Sequence, residues 1–72
     1  SKEKVAIVCK AAKLAVKLNK EDPKKWNRGR LAKDLKVGDN TITNWKRGEL
    51  PKKHVRFSRQ VTASQRFVEK HG

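Results

Sequence analysis

The residues whose chemistry is easiest to read lie between Asp39 and Arg47. Asp39, Asn40, Thr43 and Asn44 are short side chains that donate or accept hydrogen bonds. An Asn amide can pair bidentately with adenine, and a carboxylate can accept from the cytosine amino group. Cations bracket this set: Arg28 and Arg30 before it, Lys46 and Arg47 at its end, Lys52 and Lys53 beyond. Such cations neutralise phosphates and set register, while contacts to base edges carry sequence information. The expectation is therefore double-stranded DNA as partner. Asp39, Asn40, Thr43 and Asn44 are expected at base edges, and Arg28, Arg30, Lys46, Arg47, Lys52 and Lys53 at phosphates.

Two short helical patterns must position these groups. Leu31, Ala32 and Leu35 recur at helical spacing within 28–35, and Ile42 and Trp45 at i, i+3 within 39–46. Lys36, Val37 and Gly38 separate them. Two helices joined so tightly form a helix-turn-helix, whose second helix usually enters the major groove. Ile42 and Trp45 share one side of that second helix. Asp39, Asn40, Thr43, Asn44 and Arg47 take the other, within an arc of roughly 140°. Asp39 also suits the first turn of a helix, where the dipole favours an acid.

The stretch RGRLAKDLKVGDNTITNWKRG, 28–48, resembles the helix-turn-helix regulators of the phage repressor and Cro type. The likeness covers about twenty residues strongly and the following GELP more weakly. It implies that Ala32 is the small residue that lets the second helix cross closely. It implies that Ile42 is the β-branched residue filling the matching place, and that Trp45 to Gly48 is the usual ending. Lys36 departs from the pattern, which commonly has Gly there. A Lys at φ > 0 is strained by about 1–2 kcal/mol.

Composition narrows the class. The chain has 72 residues, with 20 Lys plus Arg against 7 Asp plus Glu, a net charge of +13. That is room for one small domain, and a charge that calls for a polyanionic partner. A lone Cys9 excludes an internal disulfide, and with only His54 and His71 beside it a zinc finger is excluded too. No apolar run reaches about 18 residues, so no membrane span is expected. The acids are scattered, and no nucleophile with a base, phosphate loop or metal cluster stands out. No catalytic residue, metal, cofactor or small-molecule ligand is expected. A reducing, cytoplasmic and nucleoid-associated setting is the expectation. The absence of Met points to a removed initiator or a fragment.

Elsewhere, residues 2–19 form an amphipathic helix with a stripe of Ile7, Ala11, Leu14 and Leu18, widened by Val5, Val8, Ala12, Ala15 and Val16. Lys10, Lys13, Lys17 and Lys20 cluster on another side, read first as a solvated face. Cys9 borders the apolar arc as a small hydrophobe. Pro23 should end this helix near Asn19 or Lys20. Asn27 is a plausible N-cap, with Trp26 and Leu31 at hydrophobic-staple spacing. Gly48 suits the left-handed residue past the second short helix. Beyond it, Leu50, His54, Phe57, Val61, Ser64 and Val68 are spaced as in one helix, yet TASQ (62–65) has capping-box spacing. The favoured reading is a helix over 51–60 and another over 63–70, with Phe57, Val61, Phe67 and Val68 in the core. His54 is read as a surface residue.

The fold class expected is all-α: a compact four- to five-helix bundle in one domain, 1–72, with its recognition unit at 28–48. The function expected is sequence-specific binding of double-stranded DNA, as a small repressor-like regulator of phage or bacterial type. A homodimer on a two-fold operator is expected. The rival readings are a nonspecific nucleic-acid packaging protein and an assembly subunit that docks through the same helices.

Overall fold

The 3.6-residue periodicity becomes four helices in the computed structural model, which describes residues 2–52 and 58–72. They are α1 (Lys2–Glu21), α2 (Arg28–Leu35), α3 (Asp39–Lys46) and α4 (Ser58–His71), with no strand among the described residues. α4 lies along α1 and also touches α2, while α3 packs on α2 and α1. One core joins all four, built on Val8, Ala11, Ala12, Ala15, Trp26, Leu31, Ala32, Leu35, Ile42, Trp45 and Phe67. The radius of gyration is 10.9 Å, close to the ~11 Å expected of a compact chain this long.

α1 runs one or two residues further than its sequence suggests, to Glu21. The amide of Asp22 still donates to Leu18 O at 2.9 Å, so Pro23 stops the helix only at its immediate neighbour. The buried face of α1 is Val8, Ala11, Ala12 and Ala15, while Ile7, Leu14 and Leu18 are half-buried. Burial is thus deepest inside the expected apolar arc, at Ala11 and the flanking Val8, Ala12 and Ala15, rather than at Ile7, Leu14 and Leu18. Alanines at the seam let another backbone approach closely, and the larger residues pack around its edge. Lys10, Lys13, Lys17 and Lys20 are all exposed on the opposite side. Cys9 is half-buried, and its Sγ–H donates to Pro51 O at 3.1 Å.

α4 corrects the reading of the C-terminal third. It is one helix, Ser58–His71, so no new helix begins at Ala63, and Thr62–Gln65 lies within it. Val61, Ser64, Phe67 and Val68 share one face at 3- and 4-residue spacing. Packing that face into the core outweighs a local capping signal worth about 1 kcal/mol. Pro51 and Lys52 are not helical. The rest of the expected helix over 51–60, including Lys53, His54 and Phe57, lies outside the described residues up to Ser58.

Ser64 is fully buried, and its hydroxyl has no hydrogen-bond partner among the described residues. An unsatisfied buried hydroxyl costs about 1–3 kcal/mol. Ser64→Ala is expected to stabilise the fold by about 1 kcal/mol, read as a higher midpoint in urea with an unchanged slope. A lower midpoint would mean that the hydroxyl is satisfied.

Candidate nucleic-acid interface

The start of α2 is set by Asn27, in extended conformation, whose Oδ1 accepts from the Arg30 amide at 2.9 Å. Trp26 just before it and Leu31 are both buried in the core, as the staple spacing requires. α2 ends where the Val37 amide donates to Ala32 O at 3.0 Å and the Lys36 amide to Lys33 O at 3.4 Å. This is a Schellman closure, and it places Lys36 at φ 59°, ψ 42°. Lys36 is the one described non-glycine residue with positive φ. The left-handed conformation at a Cβ-bearing residue costs about 1–2 kcal/mol. α3 closes in the same way: Glu49 donates to Asn44 O and Gly48 to Trp45 O, both at 2.9 Å. Here the left-handed residue is Gly48, φ 88°, which adopts it without strain.

Ala32, Leu35, Ile42 and Trp45 are buried, so α3 is held against α2 and α1 through its apolar side. Its other side is open. Asp39, Asn40, Asn44, Lys46 and Arg47 are exposed, and their side chains make no hydrogen bond or ion pair with a described residue. Asn40 and Asn44 stand one turn apart. Thr43 differs from this group, being half-buried. Its Oγ1 donates to Asp39 O at 3.2 Å and accepts from Arg28 Nη1 at 3.3 Å. One end of α2 is thereby tied to the middle of α3, and the Thr43 hydroxyl proton is already committed. Lys52 is exposed just outside the helices, and Lys53 lies outside the described residues.

Arg30 is brought to a different place. Its guanidinium lies 4.0 Å from the Trp26 ring centre, its Nη1 donates to Lys25 O at 3.2 Å, and its Nε is 3.6 Å from the Asp34 carboxylate. These contacts brace Trp26, on the side of α2 away from Arg28 and Thr43. Trp26, Phe67 and His71 form an edge-to-face cluster, with centroids 4.7–5.9 Å apart. The signal for Arg30 was present as spacing: Asp34 lies four residues on along α2, and Trp26 lies four residues back, just before the Asn27 cap.

Burial in this cluster lowers the His71 pKa, and the positive charges of Lys70 and Arg30 push it the same way; Asp34 opposes them and Lys25 adds to them. The folded state thus prefers neutral His71. That contribution is fully present above the ordinary histidine pKa of about 6.5. It is lost as pH falls below that value towards the lowered one. Wild type is expected to melt lower at about pH 5.5 than at about 7.5, and His71→Gln to lose part of that difference. An equal difference in both proteins would remove His71 as the cause.

These helices define a strongly basic chain, all-helical among the described residues, in which α3 exposes a face of short polar side chains. No protein-family model matches it, and neither does a curated protein or a solved structure. No described helix is long and apolar enough to cross a membrane.

Proposed function

We propose that this protein binds double-stranded DNA sequence-specifically, using α2 and α3 as a helix-turn-helix with α3 in the major groove. It acts as a small regulator of phage or bacterial type that controls transcription by occupying an operator, and does no catalysis. The observation that carries this reading is the pair of exposed, unbonded amides of Asn40 and Asn44 on one face of α3. A solvated helix face is more often built of long Glu and Lys, which are better helix formers than Asn. Eight residues make a helix about 12 Å long, a length that the major groove accommodates. Lys46 and Arg47 at one end of α3, and Arg28 across from Thr43, stand where they can meet flanking phosphates. Asp39 either accepts from a cytosine amino group or serves the helix dipole.

Selection of bound sites from a random duplex pool at moderate salt tests the reading. A short consensus is expected, and a palindromic one if the protein binds as a two-fold dimer. No enrichment, with equal affinity for all duplexes, would favour nonspecific packaging, which the net charge of +13 supplies by itself. Little DNA affinity of any kind would favour docking within an assembly.

A further inference from the structure

A second concentration of charge lies away from the exposed face of α3. Two adjoining clefts of about 380 and 440 Å³ run between α2 and α4 and share Lys36, Ala63 and Arg66. Lys33, Lys36, Arg59, Arg66 and Lys70 line them. All five are exposed, and none has a hydrogen bond or ion pair with a described residue. The acid lining the groove, Asp34, is already paired with Arg30. We propose that this groove is a second site for a nucleic-acid phosphodiester backbone, so that one molecule holds two duplex segments, one on α3 and one between α2 and α4. The proposal rests on the reading of α3 as the DNA-facing helix.

Three observations support it. The first is extent: Arg59 and Lys70 are eleven residues apart on one helix, roughly 16 Å along its axis. A single small anion cannot reach that span, whereas a backbone with a charge every ~3.4 Å per strand can. The second is lining: Ser58 and Thr62 add hydroxyls, which are common partners of phosphate oxygens, and Phe67 is buried beneath rather than offered to a peptide. The third is Lys36, which lines both clefts. It occupies a left-handed position that glycine would take without strain, and strain of this kind is concentrated at functional sites. Placement separates the two sites, because α3 and α4 each pack against α2 and α1, and the groove opens on the α4 side of α2.

The test is sedimentation of the protein with excess duplex about one helical turn long, too stiff to bend round the protein onto both faces at once. Wild type is expected to take two duplexes per protein molecule. Arg59→Gln/Arg66→Gln/Lys70→Gln is expected to take one, with the first step unchanged. The single variants Arg59→Gln, Arg66→Gln and Lys70→Gln, which keep a weakened second step, should each lose about 0.9 from its log–log salt slope. Asn40→Ala/Asn44→Ala is expected to keep both steps and lose sequence discrimination in the first. Lys36→Gly is expected to melt higher yet bind the second duplex more weakly; a merely structural Lys36 would show only the first effect. One duplex per wild-type molecule, or two per triple groove variant, overturns the proposal. So does a second step that only single-stranded DNA or polyglutamate fills. Loss of both steps in the groove variant, with no change in the α3 variant, would instead overturn the reading of α3.

Discussion

Trp45→Ala is expected to remove about half of the fold's stability or more. Trp45 is 3% exposed and sits where α3 meets the common core. Truncating a buried Trp to Ala removes about 3–5 kcal/mol. A chain of this length has a total stability of about 4–11 kcal/mol, at 0.05–0.15 kcal/mol per residue. The loss is therefore about half of the whole at mid-range and all of it at the low end. α3 is only eight residues long, well below the ~12–15 at which an isolated helix becomes even marginal in water. Without its anchor it has no means of persisting. Far-UV circular dichroism in a urea series checks this, with Trp45→Phe as the volume-sparing control. A loss under about 2 kcal/mol would show that α3 is held mainly by Ile42.

Asn40→Ala is expected to relax base preference at one position of the selected site by about 1–3 kcal/mol, the worth of a good bidentate pair. Its stability should barely change, since the side chain is exposed and unbonded. Arg28→Ala is the informative companion. As a plain phosphate contact, Arg28 should weaken every sequence alike and reduce the salt slope by about 0.9. Its bond to Thr43 Oγ1 adds a second expectation: freeing Thr43 should shift preference at the position that Thr43 faces. Competition binding against a panel of single-base variants separates the two effects. Unchanged discrimination in Asn40→Ala would remove Asn40 from the base-reading set.

Arg28 and Arg30 show where sequence reasoning reaches its edge. Both are arginines in the first turn of α2, two residues apart and so on nearly opposite sides. Arg28 extends towards α3, while Arg30 lies over Trp26 and pairs with Asp34. The partners of Arg30 lie within five positions of it, whereas Thr43, the partner of Arg28, is fifteen positions away and is brought in by folding. Thr43 was grouped with Asn40 and Asn44 by the helical wheel. The structure adds that its hydroxyl bonds back to the preceding turn, as Thr in a helix can.

The amino-acid sequence by itself determined the local elements: the bounds of α2 and α3, the Asn27 cap, the Trp26 and Leu31 staple, and the left-handed Gly48. Each depends on residues within about five positions of one another, where spacing and backbone preference act directly. It also marked Lys36 as the residue that the turn between those helices would strain. Tertiary structure decided where in the apolar arc of α1 burial is deepest, because small alanines rather than the largest aliphatics admit a neighbouring backbone. It decided that α4 is unbroken, because burying Val61, Ser64, Phe67 and Val68 together outweighs a cap at Thr62. It also drew Lys33, Lys36, Arg59, Arg66 and Lys70 into one groove from two segments more than twenty residues apart. Nothing local links those five cations; the packing of α4 beside α2 alone does.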